Sequence, residues 1–252
     1  FDGQRIDLSR TSDTIINPLD LMGHPYPEKR LALMDLMPIM LGDLTDPQRA
    51  FIDKALTEAY EKHGITNDQE TWNNRPPIME DVLNVLERME KRALLFEKPT
   101  VRSLINRLDM YVNGVFSFLN QHTRLNFDNQ FVCFDIGNLP KQVKPTIMFL
   151  VLDYIYMKMK ETIERKLLVI DEAWSLLGRT EDASYVFEIV KTCRKFNLAL
   201  FLINQEVEGM LESEAGKSVL ANSSYTLLMR QKPAVMKAIQ ETFFLSQSER
   251  TF

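Results

Sequence analysis

The stretch that decides the fold is Lys166-Leu-Leu-Val-Ile-Asp-Glu-Ala-Trp174, an apolar run that ends in two adjacent carboxylates. Leu167 to Ile170 predict a β-strand that is buried on both faces, as in a parallel sheet covered by helices. Ligands of such sheets bind beyond the carboxyl ends of the strands, which is where Asp171 and Glu172 emerge. An Asp that holds Mg²⁺ through its water and a Glu that activates a water molecule are typical of phosphoryl-transfer sites.

The two carboxylates also have a purely structural explanation. Asp and Glu are stabilised at the positive end of a helix dipole, so a buried strand that runs into a helix N-terminus often ends in acidic residues. The strand and its carboxylates alone therefore leave both explanations open, and the rest of the chain must decide between them.

The composition indicates a globular protein. The chain has 252 residues, of which 45% are apolar and 26% are charged, enough for one large domain or two small ones. Its net charge of −5 disfavours a broad basic surface for nucleic acid, although a local basic pore would not show in the total. Two cysteines and no visible signal peptide or membrane anchor predict a cytoplasmic location.

The periodicity of apolar residues divides the chain into three parts. Residues 1–25 read as a short piece of a sheet domain, 26–127 as an all-helical subdomain, and 128–252 as alternating strands and helices. The alternation in the last part predicts an α/β fold with a doubly wound, mainly parallel sheet. The strands predicted there are Phe131–Ile136, Leu167–Ile170, Leu198–Ile203 and Tyr225–Met229. In the helical part, Pro47 and Gly64 predict a helix over residues 47–63 that has Asp46 as its N-cap.

Three strand ends carry polar side chains that suit a nucleotide site. They are Asp171 with Glu172, Asn204 with Gln205, and Arg230 with Gln231, and we expect all three pairs to line one crevice. Gln205 is placed to sense a γ-phosphate by hydrogen bonding. Arg194 and Lys195 follow a predicted helix, where the dipole explains their charge, but an arginine finger toward a neighbouring subunit is a second use for such residues.

One motif resembles a phosphate loop and is rejected. Gly216-Lys217-Ser218 matches the end of such a loop, but Leu211 stands where the first Gly is required. Glu212 and Glu214 would also repel phosphate. We therefore expect this chain to contain no phosphate loop, and we expect it to bind and hydrolyse ATP poorly on its own.

A series of short motifs resembles the TraC-type (VirB/TraC family) ATPases of conjugation and type IV secretion. The motifs keep the family's order along almost the whole chain: Asn17-Pro-Leu-Asp20, Ile52-Asp-Lys-Ala55 with Tyr60, Gly64-Ile-Thr66, Phe134-Asp-Ile-Gly137, Leu168-Val-Ile-Asp-Glu-Ala-Trp174, Arg194-Lys195, Asn204-Gln205, and Leu245-Ser246 with Glu249. The family usually has Thr-Gln where this chain has Asn204-Gln205, which keeps the Gln.

The resemblance implies a RecA-like motor domain of the FtsK/HerA group with an inserted all-helical subdomain. In that family the phosphate loop lies upstream of the segment that matches Phe1 to Leu21, so the resemblance implies that this chain is truncated after the phosphate loop (the Walker A segment). It further implies ATP and Mg²⁺ as cofactors, with Asp171 and Glu172 as the Walker B pair and Gln205 as the sensor. Arg194 or Arg230 would be the cation that acts in trans, and Lys195 would contact nucleotide. The implied partners are five further copies in a hexamer, inner-membrane channel components and the coupling ATPase of a type IV secretion system, at the cytoplasmic face of the bacterial inner membrane.

Two other functions remain open at this point. One is a DNA-translocating coupling-type motor, because such motors share the same core. The other is a docking module with a vestigial nucleotide site. The acidic balance of the chain disfavours the first, and the retention of Glu172 beside Asp171 disfavours the second, since a dead site has no need of the Glu.

Overall fold

The computed structural model describes residues 2–9, 12–125, 129–173, 180–204, 214–230 and 235–246. The chain divides into two compact units, Phe1–Val151 and Leu152–Phe252. The predicted domain boundaries at residues 25 and 127 remain a prediction. Within the described residues, no helix is long and apolar enough to cross a membrane.

From the second strand to the fourth, the described strands and helices alternate as expected for an α/β protein, whereas four helices separate the first strand from the second. The strands are β1 (Gln4–Asp7), β2 (Val132–Asp135), β3 (Lys166–Asp171) and β4 (Leu198–Ile203). The α-helices are α1 (Tyr26–Leu41), α2 (Asp46–Lys62), α3 (Met79–Arg92), α4 (Lys98–Val112), α5 (Lys144–Glu161), α6 (Thr180–Thr192), α7 (Glu214–Asn222) and α8 (Met236–Phe243). Short 3₁₀ turns cover Gln69–Asn73, Ser117–Leu119 and Cys193–Phe196.

In the first unit, β1 and β2 form a parallel pair. Gln4 is opposite Val132 and Asp7 is opposite Asp135, so the carboxyl ends of the two strands lie side by side. Parallel strands need a crossover connection, and here helices α1 to α4 lie between the two strands in sequence.

Helix α2 shows why the sequence forms regular helices in this region. The side chain of Gln48 accepts a 3.0 Å hydrogen bond from the backbone N–H of Thr45, which satisfies a donor that the helix itself leaves unpaired. The helix therefore begins at Asp46, with Thr45 rather than the expected Asp46 as its N-cap. At the other end Gly64 has φ +72°, a left-handed conformation that glycine adopts without steric cost and that ends the helix.

A buried polar anchor attaches the Asn17-Pro-Leu-Asp20 motif to the helices. The Asn17 side chain is fully buried; its Nδ2 donates to the carbonyl oxygen of Pro77 at 2.8 Å, and its Oδ1 accepts from the backbone N–H of Leu19 at 3.0 Å. The hydroxyl of the buried Tyr60, on α2, donates to the carbonyl oxygen of Leu19. Motifs that are far apart in sequence thus meet in one hydrogen-bonded contact.

In the second unit, β3 and β4 form a parallel pair in which Lys166 is opposite Leu198 and Asp171 is opposite Ile203. The expectation that β3 is buried on both faces is wrong. Leu167 and Val169 are exposed, as is Phe201 on β4, while the alternate residues are more buried. Strand side chains alternate between faces, and an apolar sequence buries both faces only where a layer covers each of them.

The strand predicted at Tyr225–Met229 is also wrong. Residues 224–230 have no regular secondary structure, and Tyr225, Leu227 and Met229 are strongly exposed. A β-strand requires a neighbouring strand to which it is hydrogen-bonded. Apolar and β-branched residues in the local sequence do not show whether such a neighbour is present. The described strands therefore form two parallel pairs, and the expected single doubly wound sheet remains a prediction.

Candidate functional site

The two carboxylates lie where a ligand of a parallel sheet would bind. Asp171 is the last residue of β3 and is exposed, and Glu172 follows it in a turn and is half-buried. The backbone N–H of Ala173 donates to the carbonyl oxygen of Ile203 at 3.1 Å, which ties this turn to the end of β4. The sequence prediction that both side chains emerge at the carboxyl end of the strand is therefore confirmed.

The backbone at Glu172 adopts a conformation that its side chain disfavours. Its φ is +54°, in the left-handed region that residues with a Cβ occupy rarely. The turn is supported by the Asp171 side chain, whose Oδ1 accepts a 3.0 Å hydrogen bond from the N–H of Glu172. A non-glycine residue held in this region is a recurring feature of functional sites, and here it is the residue predicted to activate water.

The next strand delivers a polar residue to the same edge. Asn204 directly follows β4, whose last residue, Ile203, is paired with Asp171. Asn204 is half-buried. Gln205, predicted as the sensor, and Gln231 both lie outside the described residues. Of the residues that the sequence predicted to line one crevice, the structure brings together Asp171, Glu172 and Asn204.

Arg194 and Lys195 lie at the opposite edge of the strand pair. Both are exposed in the 3₁₀ turn that precedes β4, and the following Asn197 accepts a 3.0 Å hydrogen bond at its carbonyl oxygen from the N–H of Lys166. Because β3 and β4 are parallel, these cations stand at the amino ends of the strands and the carboxylates stand at the carboxyl ends. Six residues of strand separate the two groups by about 16 Å.

Arg230 is exposed and follows the irregular segment 224–229. Its predicted position at the end of a fifth strand is therefore not observed. Exposure leaves its side chain accessible to a partner.

The chemistry of Asp171 and Glu172 fits a nucleotide-bound magnesium ion better than a metal held by protein alone. Mg²⁺ prefers oxygen ligands and is commonly bound by one or two carboxylates together with substrate phosphates and waters. No group of three or more His, Cys, Asp and Glu side chains in the described ranges could hold a metal ion. Asp171 thus supplies the protein ligand that such a site needs, with the other ligands coming from nucleotide and water.

A further carboxylate at a strand end received no role from the sequence. Asp135 ends β2, and its Oδ1 accepts a 2.9 Å hydrogen bond from the N–H of Gly137. Its Oδ2 accepts from the Arg5 guanidinium, with an Nε distance of 3.1 Å. The Gly137 hydrogen bond and the Arg5 charge lower the pKa of the Asp135 carboxyl. The sequence signal for this carboxylate was the Phe134-Asp-Ile-Gly137 motif, because its glycine has no side chain that would obstruct this hydrogen bond.

Comparison with known proteins gives a consistent result. The family model of the TraG P-loop domain matches residues 51–252. The type IV secretion system protein virB4 of Bartonella quintana is 23% identical over 224 residues, covering 85% of this chain and 28% of that protein. The protein of the same name from Bartonella henselae is 23% identical over 163 residues, covering 62% of this chain and 20% of that protein. The chain thus spans about a quarter of the length of these curated relatives.

A solved structure resembles nearly the whole chain. It is VirB4 of Thermoanaerobacter pseudethanolicus, which is 28% identical with a TM-score of 0.83 over 99% of this chain and 70% of that one. The match gives the chain a RecA-like α/β fold, with the parallel strand pairs described above. On the family model, the motifs and this structural likeness, the chain belongs to the TraG P-loop domain family and is of the VirB4/TraC type found in type IV secretion.

Proposed function

We propose that this chain is part of the ATP-hydrolysing motor domain of a type IV secretion or conjugation protein, and that the complete protein powers pilus assembly or substrate transfer. The observation that carries the proposal is the Asp171-Glu172 pair at the carboxyl end of β3, beside the end of β4. Family membership supports the activity, because P-loop domains bind and hydrolyse nucleotides by this arrangement.

Within one subunit, Asp171 would hold Mg²⁺ through a water molecule, and the ion would neutralise charge on the nucleotide phosphates. Glu172 would orient and deprotonate the attacking water. Its half-buried position and constrained backbone limit the directions in which its carboxylate can point. Gln205 would sense the γ-phosphate by hydrogen bonding, and Asn204 precedes it at the end of β4.

The cations at the other edge suit a role between subunits. The length of the strand, about 16 Å, separates Arg194 and Lys195 from Asp171. The two cations are therefore too far away to reach phosphates that are bound beside that carboxylate. Their exposure makes them available to a neighbouring copy. We therefore assign Arg194 as the preferred trans-acting cation, Lys195 as a further nucleotide contact, and Arg230 as the alternative.

The domain arrangement and the partners are part of the same proposal. Residues 26–127 form an all-helical subdomain inserted into a core made of 1–25 and 128–252. The working form is a hexamer at the cytoplasmic face of the bacterial inner membrane, where it meets channel components and the coupling ATPase. The parallel pairing of β1 with β2 supports the insertion, since the chain returns to the same strand pair after the helices.

Substitution of Glu172 by Gln tests the proposal. In the complete protein, Glu172→Gln should abolish ATP turnover and retain ATP binding, because the amide keeps the shape of the side chain and loses its basicity. The matched control is Glu164→Gln, since Glu164 is exposed at the amino-end edge of β3. Steady-state phosphate release and calorimetric ATP binding measure the two quantities. Near-normal turnover by Glu172→Gln would remove Glu172 from the base role.

A further inference from the structure

The connection between α3 and α4 presents three consecutive large apolar side chains to solvent. Leu94, Leu95 and Phe96 are 60%, 86% and 76% exposed, and we call them the apolar tip. Single exposed apolar residues are common on protein surfaces, but three in a row at this exposure are not. Folding has left their apolar area available for a partner.

The apolar tip is held in place by hydrogen bonds of its own turn. The backbone N–H of Glu97 donates to the carbonyl oxygen of Leu94 at 2.9 Å, and the N–H of Leu94 donates to the Glu97 carboxylate at 3.0 Å. Helices α3 and α4 pack against each other as a hairpin with this turn at its end. The exposed side chains are therefore held at the end of the hairpin.

Cations lie on both sides of the tip in sequence. Lys91, Arg92 and Lys98 are exposed and lie within three residues of it, and we call them the flanking cations. Glu90 pairs with Arg102 at 2.5 Å, whereas Glu97 keeps its negative charge while its carboxylate accepts the N–H of Leu94. Three cations against the single charge of Glu97 still leave the end of this hairpin positive, although the chain as a whole carries a net charge of −5.

Helix dipoles explain only part of this charge. Lys91 and Arg92 lie in the last turn of α3, where a cation is stabilised by the negative end of the dipole. Lys98 opens α4, where the positive end of the dipole disfavours a cation. The first turn of α4 has no acidic residue, and only the N-cap Glu97 offsets this effect. An anionic partner would offset it further.

We propose that the apolar tip inserts into the headgroup region of an anionic phospholipid membrane, with the flanking cations on the lipid headgroups. An exposed apolar end that cations flank on both sides in sequence fits a lipid interface, into which apolar side chains penetrate by about 5–10 Å. A protein partner would instead need a pocket shaped for three adjacent side chains. The proposal rests on the proposed membrane location but not on ATP hydrolysis, so the two can fail separately.

Vesicle sedimentation tests the contact. The protein should bind vesicles of phosphatidylglycerol and phosphatidylcholine in equal amounts, and should not bind phosphatidylcholine alone. Leu95→Asp with Phe96→Asp should weaken binding by about tenfold or more, because the buried apolar area is lost. Lys98→Gln should weaken it by about fivefold, with a smaller dependence on salt.

The matched controls lie on the same unit. Leu31→Asp changes a side chain that is 72% exposed on α1, and Lys54→Gln changes an exposed lysine on α2. Both should bind vesicles as the unchanged protein does. Equal weakening by the tip and control variants, or no binding to phosphatidylglycerol vesicles at all, would overturn the proposal.

A fluorescence readout keeps the test valid if the double variant folds poorly. Phe96→Trp keeps an aromatic side chain at the tip, and it is made in a background in which the native Trp72 and Trp174 are replaced by Phe. Its emission should shift to shorter wavelength and be quenched by brominated lipids when phosphatidylglycerol vesicles are added. Leu31→Trp is the control and should show neither change. Emission from position 96 that stays unchanged in bound protein would show that another surface makes the contact, and the proposal would be wrong.

Discussion

Asn17 and Pro77 are joined by a 2.8 Å hydrogen bond from a fully buried side-chain amide to a backbone carbonyl 60 residues away. The same side chain accepts the N–H of Leu19, so one residue satisfies a carbonyl from one segment and an amide from another. At this burial, water does not readily replace Asn17 as the hydrogen-bond partner of the Pro77 carbonyl oxygen or of the Leu19 N–H. The Asn17-Pro-Leu-Asp20 motif therefore has a structural role that the sequence comparison left unassigned.

Asn17→Ala should lower the free energy of unfolding by about 2–4 kcal/mol, because it leaves a buried carbonyl and a buried N–H unsatisfied. Asn106→Ala is the control, since Asn106 is exposed on α4 and should change stability by less than about 0.7 kcal/mol. Urea unfolding followed by far-ultraviolet circular dichroism measures both. Equal stabilities of the two variants would refute the anchoring role.

The left-handed backbone at Glu172 makes a prediction that separates stability from activity. Glu172→Gly should raise the free energy of unfolding by about 1 kcal/mol, because glycine adopts this conformation without steric cost. Glu172→Gln keeps the Cβ and should leave stability nearly unchanged. Thermal unfolding compares the three proteins. A destabilised glycine variant would mean that the Glu172 side chain contributes more to folding than its backbone costs.

Placing Arg194 and Asp171 at opposite edges predicts complementation between inactive subunits. Arg194→Ala and Glu172→Gln should each abolish ATP turnover, and mixing them should restore part of it, because some interfaces then combine an intact Glu172 with an intact Arg194. Arg165→Ala removes another exposed cation near the same edge and should remain active. Mixtures without recovery would place both residues in one subunit's site, and recovery with Arg230→Ala in place of Arg194→Ala would identify Arg230 as the trans cation.

His122 predicts a pH dependence of stability. Burial of its ring lowers the pKa of His122, and the nearby Arg75 and His63 lower it further, against the opposite effect of Asp81 and Asp20. The unfolded chain therefore binds the proton more readily than the folded one. The stability present above the unfolded pKa of about 6.5 should be lost as the pH falls through the folded pKa.

His122→Gln should make the free energy of unfolding less dependent on pH. The difference in this free energy between the variant and the unchanged protein should therefore be smaller at pH 5 than at pH 8. Urea unfolding across this range measures the slope. Parallel stability profiles for the two proteins would show that His122 does not titrate in this way.

Some features followed from the sequence because they depend on local pattern. Asp171 was placed correctly at a strand end because an apolar run of strand length stops there, and α2 was bounded correctly within one residue by Pro47 and Gly64. The relationship to the VirB4/TraC-type proteins was also predicted correctly, since the order of short motifs is itself a property of the sequence.

Other features depend on neighbours that a local pattern does not contain. Val169 lies on an uncovered face although its strand reads as fully buried, and Tyr225–Met229 lacks the paired strand that would make it one. The left-handed backbone at Glu172 was not predictable, because glutamate does not favour it. Nothing in the local sequence separates Leu95 from a buried apolar residue, and only its exposure reveals the tip.

The pairing of β1 with β2 also has a consequence for folding during synthesis. Arg5 and Asp135 are 130 residues apart, and the ribosome adds about 5–20 residues per second, so β1 is synthesised roughly 6–26 seconds before its partner. Helices α1 to α4 have local contacts and can form during that interval, while the edge of β1 remains unpaired. Translation speed between residues 8 and 131 is therefore a determinant of folding yield, and the nascent chain is most exposed to misfolded strand pairing before Val132 appears.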